Sequence, residues 1–258
     1  MGIIISIVNQ KGGVGKTTTA VNLAAGLAIL GKKVLLIDID PQGNATSGLG
    51  INKDKLEKSI YNVFIDNTNL ENTIKITDID NLFIVPANND LIGANVELHN
   101  VEQREKILHN KTERARYKFD YIFIDCPPSL GYLTLNALVA SDSFLVPLQC
   151  EFFAMEGLAQ LINTFNLVRD RLNQNLYIEG ILLTMFDKDK HISIEIEKEV
   201  REHFKDKVFK TTIPRDIKLT EAQSFGKPIM LYNMITKAST SYLQLSKEVI
   251  TNAKTSIR

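Results

Sequence analysis

A glycine-rich loop with two lysines lies near the start of the chain, between an apolar run and a stretch rich in Ala and Leu. Backbone N–H groups in such a loop can surround phosphate oxygens, and the N-terminus of the following helix adds partial positive charge. A strand before the loop and a helix after it are the context that a nucleoside triphosphate site requires. The loop residues are Lys11, Gly12, Gly13, Val14, Gly15, Lys16, Thr17 and Thr18.

Three side chains of this loop have the chemistry that a triphosphate and its Mg²⁺ need. Lys16 is expected to reach the β- and γ-phosphates, and Thr17 offers its hydroxyl to Mg²⁺. Thr18, two residues into the helix, can donate to an α-phosphate oxygen. The loop therefore predicts binding of both the phosphates and the metal ion.

The loop departs from the usual G-x-x-x-x-G-K-[ST] pattern, because Gln10 stands where Gly is expected and Lys11 is an additional lysine. Two lysines are more than one triphosphate in one subunit needs. We therefore expect Lys11 to neutralise charge on a nucleotide held by a second copy, in a face-to-face dimer. A solvated loop charge is the alternative, and the rest of the loop favours the first interpretation.

Three aspartates follow apolar strands. Asp125 ends the run Tyr121–Asp125, where a carboxylate is costly without a nearby cation, so we expect it to hold Mg²⁺ through a water. Asp38 and Asp40 lie two apart in an extended segment, so their side chains point the same way. The residues alone do not rank these two, and strand-end caps remain an alternative for both.

The apolar runs are continuous and rich in β-branched residues, as in strands that are buried on both faces. Helical stretches separate most of them, which predicts a doubly wound, mostly parallel α/β sheet flanked by helices, with ligands at the carboxyl ends of the strands. The polar stretch 52–80 is expected to form small helices over the sheet edge. The predicted strands are Ile3–Val8, Lys33–Asp38, Leu82–Pro86, Tyr121–Asp125, Phe144–Leu148, Ile178–Thr184 and Val208–Ile213, and the main helices are Thr17–Leu30, Met155–Leu172 and about Thr240–Ala253.

Composition limits the possible classes of protein. A chain of 258 residues with 44% hydrophobic residues suits one domain over residues 1–258. The 30 basic and 30 acidic residues exclude a uniformly basic surface, so any nucleic-acid contact must be a local patch. Cys126 and Cys150 lack metal-ligand spacing, and no apolar run approaches the ~18 residues of a membrane span. We expect a cytoplasmic protein.

Five segments together resemble the deviant Walker A ATPases of the ParA/MinD group, and within it the ParA (Soj) type of chromosome or plasmid partition ATPase. The resemblance covers nearly the whole chain. The segments are residues 11–18, Asp38-Ile39-Asp40-Pro41-Gln42-Gly43-Asn44-Ala45-Thr46-Ser47-Gly48-Leu49-Gly50, Asp125-Cys126-Pro127-Pro128-Ser129-Leu130-Gly131, Gln149-Cys150-Glu151-Phe152-Phe153-Ala154-Met155-Glu156-Gly157 and Ile213-Pro214-Arg215-Asp216.

The resemblance implies a slow, Mg²⁺-dependent ATPase with a P-loop NTPase fold. Asp40 then orients the attacking water, and Asp38 supports the outer shell of the metal. Lys16 and Lys11 act on the phosphates, with Lys11 delivered by the partner subunit in place of an arginine finger. Two further positions, Pro214 and Asp216, line the adenine, although much of the family has Asn where this chain has Asp216. The alternative for these two is a proline that ends a strand and an aspartate that caps the following helix.

The resemblance also implies partners. An ATP-bound homodimer would bind double-stranded DNA non-specifically on the nucleoid, and a ParB-like centromere-binding protein would trigger hydrolysis. The family's Asp-x-Arg-Thr segment is Asp187-Lys188-Asp189-Lys190 here, so Asp189 replaces an Arg linked to DNA contact. The candidate DNA-binding residues are Lys188, Lys190, Lys218 and Lys237, and scattered surface charge is the alternative.

Two other functions stay open at this point. One is a MinD-like positioning ATPase that associates with the membrane, but the final helix lacks the basic polar face that a membrane-lying helix should have. The other is a ParA-like regulator that keeps ATP-driven dimerisation and has lost DNA binding, which the acidic Asp189 suggests.

Overall fold

A sheet of mainly parallel strands forms the centre of the computed structural model, which describes residues 1–151 and 154–256. Phe152 and Phe153, in one of the family segments, lie outside the described residues. Within that part of the chain, seven strands make one sheet in the order β3-β4-β2-β5-β1-β6-β7. The strands are β1 Ile3–Ile7, β2 Val34–Asp38, β3 Lys75–Ile76, β4 Leu82–Val85, β5 Tyr121–Asp125, β6 Ser143–Gln149 and β7 Tyr177–Thr184.

Helices cover both faces of the sheet, which confirms the predicted doubly wound α/β fold. The helices α3 to α8 pack on one face, and α1, α2 and α9 to α11 pack on the other. The helices are α1 Lys16–Ile29, α2 Asn44–Gly48, α3 Ile60–Phe64, α4 Leu91–Glu97, α5 Ile107–Thr112, α6 Tyr132–Ala140, α7 Ala154–Arg171, α8 His191–Phe204, α9 Ile217–Ser224, α10 Ile229–Tyr232 and α11 Lys237–Ser256.

The central strands β1, β2 and β5 are almost entirely apolar because successive side chains enter different cores. In β1, Ile4 packs with the core on one face, and Ile5 and Ile7 pack with the core on the other. All of these side chains are at most 1% exposed. Burial on both faces is the reason that the sequence shows continuous rather than alternating hydrophobic runs.

The central strands are aligned so that their carboxyl ends meet. β5 lies between β1 and β2, and Asp125 at its end is opposite Ile7 of β1 and Asp38 of β2. Parallel pairing in this register brings the loops after all three strands to one edge of the sheet. The predicted phosphate loop and all three predicted aspartates therefore share that edge.

The prediction of a strand at Val208–Ile213 is wrong. The segment runs beside β7 but makes only isolated bridges, from Val208 to Ile181 of β7 and from Pro214 to Phe186 just beyond that strand. Between these points the carboxylate of Glu248 on α11 accepts the backbone N–H groups of Lys210 and Thr211, at 2.7 and 3.1 Å. These hydrogen bonds to a helix replace the regular ladder of a sheet.

The stretch 52–80 contains α3, as expected of small helices, but it also contributes the short edge strand β3, which is antiparallel to β4 and was not predicted. At the other end of the chain, α11 packs Tyr242, Leu245 and Val249 into the core beside α1. No helix in the described ranges is both long enough and apolar enough to cross a membrane.

The contact between α1 and α11 gives a test of the fold. A Cβ added at Gly26 would overlap the hydroxyl of Ser246, which donates to the carbonyl of Tyr242 at 2.8 Å. Gly26→Ala should lower the free energy of unfolding by about 1–3 kcal/mol through overpacking. Urea denaturation measures this change.

The matched control is Gly157→Ala on α7, where an added Cβ would meet nothing within 4 Å. It should raise the free energy of unfolding by about 0.5–1 kcal/mol, since Ala is the better helix former. Equal stability of the two variants would contradict the tight packing of α1 on α11.

Candidate nucleotide site

The glycine-rich loop leaves the end of β1 and enters α1 with its backbone exposed to a cavity. Gly13 and Gly15 have φ of +76° and +89°, in the left-handed region that favours glycine. A Cβ added at Gly12 would meet nothing within 4 Å, so the outer side of the loop is open. Gly15 directly precedes α1, which places the helix N-terminus at the cavity.

Two polar side chains fix the loop to neighbouring strand ends. The hydroxyl of Thr184, at the end of β7, donates to the carbonyl of Val14 at 2.8 Å. The amide of Asn9 donates to the carbonyl of Pro147 in β6, also at 2.8 Å. The loop is therefore held by β1, β6 and β7 before any ligand binds.

Lys16 is a buried cation within this loop. Its side-chain ammonium donates to the carbonyl of Lys11 at 3.1 Å. Burial lowers the pKa of Lys16, and the nearby carboxylates of Asp125 and Asp40 oppose that shift. A triphosphate bound in the cavity would place further negative charge beside the Lys16 ammonium.

Asp125 is fully buried, and neither of its carboxylate oxygens accepts a hydrogen bond in the described structure. Burial raises its pKa well above the ordinary range, and the adjacent Asp38 raises it further, while the Thr17 hydroxyl and Lys16 act in the opposite direction. A buried carboxylate without hydrogen bonds is costly unless a cation neutralises it. This environment fits a bound Mg²⁺.

Asp38 differs from Asp125 because its oxygens have partners. One oxygen accepts from both the N–H and the hydroxyl of Thr46, at 2.8 and 2.7 Å, and the other accepts from the N–H of Asp40 at 3.1 Å. Burial raises the pKa of Asp38 to about 6, against the lowering effect of Thr46. Its contacts hold the loop after β2 in place.

Asp40 faces the cavity and is 8% exposed. One of its oxygens accepts from the N–H of Gln42 at 2.9 Å, which orients the carboxylate. Asp40 and Asp38 are thus distinguished by the structure, since Asp40 lines the cavity and Asp38 lies behind it.

The metal ion would take most of its ligands from outside the protein. Within residues 1–151 and 154–256, no three His, Cys, Asp or Glu side chains are placed to hold an ion together. Mg²⁺ suits such a site, because it retains several waters and binds through phosphates and one or two protein oxygens. The Thr17 hydroxyl, which lines the cavity, and Asp125 are the available protein groups.

The phosphate cavity has a volume of about 600 Å³ and is adjacent to a second cavity of about 400 Å³. Both are lined by Gly15 and Thr18, and the second also by Pro214 and Asp216, the positions expected to contact adenine. Asp216 additionally caps α9, where its carboxylate accepts from the N–H of Lys218 at 2.9 Å. The structure thus places the predicted phosphate and base positions in adjacent cavities that share lining residues, and together these cavities form the groove described below.

The residues that line this groove and were not predicted from the sequence include Met185 and Gln223. Gln223 on α9 donates to the Thr18 hydroxyl at 3.1 Å, and Met185 has a left-handed backbone with φ of +50°. Both line the two cavities. Met185 directly follows the predicted strand Ile178–Thr184, and its place at a strand end could have indicated a ligand contact. Nothing in the local sequence marks Gln223.

The four lysines predicted to bind DNA do not form one free patch. Lys188 and Lys237 line a third cavity of about 620 Å³ together with Asp187 and Asp189, and this cavity shares Pro214 with the cavity expected to hold the base. Lys190 lies 3.8 Å from a carboxylate oxygen of Asp187, and Lys218 forms an ion pair with Glu221 at 2.8 Å. Lys218 is thus partly neutralised within its own helix.

Comparison with known proteins adds to this geometry. Residues 2–178 match the AAA domain family. The chain is 54% identical to the sporulation initiation inhibitor protein Soj of Bacillus subtilis, over 98% of this chain and all of that protein. It is 51% identical to the chromosome partitioning protein ParA of Myxococcus xanthus, over 97% of this chain and 88% of that protein. The fold matches cobyrinic acid a,c-diamide synthase from Mycobacterium smegmatis, solved with ADP and magnesium, with a TM-score of 0.86 and 33% identity over 98% and 96% of the two chains.

The buried carboxylate of Asp125 gives a test of the metal site. Asp125→Asn should bind nucleotide in EDTA as the wild type does, but its affinity for Mg²⁺ in the nucleotide complex should fall roughly ten- to hundredfold, as for other groups that hold a metal through water. Thermal unfolding with a non-hydrolysable ATP analogue, titrated with Mg²⁺, measures the change. The exposed Asp80→Asn is the control, and a normal Mg²⁺ response in Asp125→Asn would rule out the assigned role.

Proposed function

Because the chain belongs to the Soj/ParA family of chromosome-partitioning ATPases, we propose that it acts as an ATP-dependent homodimer that binds DNA non-specifically and is stimulated by a ParB-like partner. The protein is an ATPase, and it uses ATP with Mg²⁺. The proposal concerns how hydrolysis is coupled to assembly and to DNA.

The position of Lys11 carries the proposal of a dimer. Its side chain is about half exposed, at 54%, and forms an ion pair with Glu151 at 2.8 Å. Lys11 does not line the phosphate cavity of its own subunit, in contrast to Lys16. A lysine in a phosphate-binding loop that turns away from its own phosphates is well placed to serve a second nucleotide across an interface.

The open side of the loop supports a face-to-face arrangement. The space outside Gly12 is free, so another copy could approach the loop closely there. An isologous interface of this kind would give each site one Lys11 from the other subunit. Hydrolysis would then require assembly, because phosphoryl transfer depends on positioned positive charge.

Within each subunit we assign the remaining roles by position. The loop backbone and Lys16 hold the phosphates, Thr18 contacts the α-phosphate, and Thr17 with Asp125 holds Mg²⁺. When bound, Mg²⁺ neutralises charge on the phosphates. Asp40, which faces the cavity, orients the attacking water, while Asp38 keeps the loop of Asp40 in place through its hydrogen bonds.

For DNA we propose a contact built around the cavity that Lys188 and Lys237 share. Arg215 also lines it, which adds a third cation that the sequence analysis did not select. Asp187 and Asp189 oppose these charges from the same cavity. Three cations in one subunit would bind DNA only weakly. A dimer would present two such contacts, and their combined binding would be stronger through avidity.

We infer a location in the cytoplasm on the nucleoid. The membrane-bound alternative depends on an apolar face of the last helix, and in the described part of α11 the side chains of Tyr242, Leu245 and Val249 are at most 1% exposed. The regulator without DNA binding differs from the main proposal only in DNA affinity. It is therefore decided by the DNA experiment below.

Asp40→Ala tests the coupling of hydrolysis to assembly. Removing the group that orients water should slow hydrolysis by about 10²–10⁴-fold and leave ATP binding intact, so that dimers accumulate. Light scattering at saturating ATP and Mg²⁺ measures the dimer, and the exposed Asp54→Ala is the control. If the Asp40→Ala protein remained monomeric under these conditions, the role assigned to Asp40 would be wrong.

Asp189→Arg tests the DNA contact. The substitution removes a charge that repels phosphate and adds one that attracts it, so DNA affinity should rise and the slope of log K against log salt should steepen by about one per added contact. Filter binding with ATP, ADP or no nucleotide measures both quantities.

The control for charge is Asp206→Arg, an exposed position beyond the other end of α8. It makes the same change in net charge and should leave DNA affinity nearly unchanged. If the wild type binds no DNA in any nucleotide state and Asp189→Arg does not rescue binding, the regulator is the better description.

A further inference from the structure

The ion pair between Lys11 and Glu151 joins two of the family segments that are far apart in the sequence. The Lys11 ammonium lies 2.8 Å from a carboxylate oxygen of Glu151, a residue 140 positions later. The hydrogen bond from Lys11 also lowers the pKa of Glu151, so this carboxylate stays ionised at neutral pH. Glu151 is therefore paired with the same lysine on which our proposed dimer depends.

The backbone around both residues is fixed, which makes the pair specific. The side chain of Asn9 accepts from the N–H of Lys11 at 3.0 Å and donates to the carbonyl of Pro147 in β6. Glu151 follows the end of that same strand, and Gln149 donates to its other carboxylate oxygen. The backbone positions of Lys11 and Glu151 are therefore both fixed next to β6, which keeps the two side chains within reach of each other.

We propose that Glu151 is a positioning residue that holds Lys11 on its own subunit until a second nucleotide-bound copy arrives. This inference rests on the proposed function, since it assumes that Lys11 acts on the nucleotide of the partner. Glu151 keeps the ammonium at the rim of the loop, outside the phosphate cavity, where it neither serves its own nucleotide nor moves freely in solvent.

The ion pair is weak enough for Lys11 to exchange Glu151 for the phosphates of a partner's nucleotide. Its two side chains are 54% and 48% exposed, so water screens the attraction, and the bond is weak. The phosphates of a partner's nucleotide carry more negative charge than one carboxylate and would compete successfully for the lysine. Lys11 then stays paired in the monomer and in the dimer, and dimerisation must first break one weak contact.

Glu151→Gln tests this exchange in an Asp40→Ala background, where hydrolysis does not deplete the dimer. Loss of the ion pair should lower the apparent Kd for dimerisation about two- to fivefold, the size expected from an exposed ion pair. Sedimentation equilibrium at saturating ATP and Mg²⁺ measures this Kd. Glu151→Asp keeps the charge and should remain closer to the parent protein.

The matched control is Glu156→Gln, an exposed glutamate in the first turn of α7 that pairs with no lysine or arginine in the described ranges. It removes the same charge from the same region and should leave the Kd unchanged. An unchanged or raised Kd for Glu151→Gln would overturn the proposal. If the Asp40→Ala parent itself stays monomeric, the failure belongs to the proposed dimer.

A second measurement separates release of Lys11 from a simpler repulsion between Glu151 and the partner's phosphates. In the ADP-bound monomer, ¹³C-methylated lysines give NMR signals, and that of Lys11 is identified by its loss in Lys11→Arg. Glu151→Gln should shift this signal, whereas Glu156→Gln should not. A tighter dimer with an unshifted Lys11 signal would assign the effect to repulsion and overturn the positioning role.

Discussion

The parallel register of the central strands is the constraint on which the rest of the site depends. Because β5 lies between β1 and β2, Asp125 is opposite Asp38 and beside the end of the strand that begins the phosphate loop. Two carboxylates are thereby buried side by side, an arrangement that costs free energy until positive charge is brought to it. Lys16 supplies part of that charge, and the fold leaves the remainder to Mg²⁺ with its nucleotide.

Asp38 and Asp125 have different roles because their hydrogen bonding differs. Asp38 is saturated by Thr46 and by the backbone of Asp40, so it stabilises the loop after β2. Asp125 accepts no hydrogen bond within the described structure and so remains available to a cation. The charge of Asp38 raises the pKa of Asp125, and a cation at Asp125 would also favour the ionised form of Asp38.

The sequence was sufficient wherever the information is local. Continuous apolar runs located six of the seven described strands within about two residues, and the loop and its aspartates were identified from their order along the chain. The failures involve partners far away in sequence. Val208–Ile213 is not a regular strand because Glu248 accepts the N–H groups of Lys210 and Thr211 in its middle. The strand β3 has only two residues, and the contact between Gln223 and Thr18 spans 205 positions. The pairing of Lys11 with Glu151 was likewise invisible, although both residues stood in recognised segments.

We propose that Lys11 of the other subunit completes each active site, and a mixing experiment tests this most directly. Lys11→Ala retains Asp40 but cannot donate the lysine, whereas Asp40→Ala donates Lys11 but cannot orient water at its own site. A mixed dimer then contains one complete site and one inactive site. The steady-state ATPase rate of an equimolar mixture should clearly exceed the sum of the rates of the two separate variants. A rate equal to that sum would contradict the account, because it would show that Lys11 acts only on the nucleotide of its own subunit.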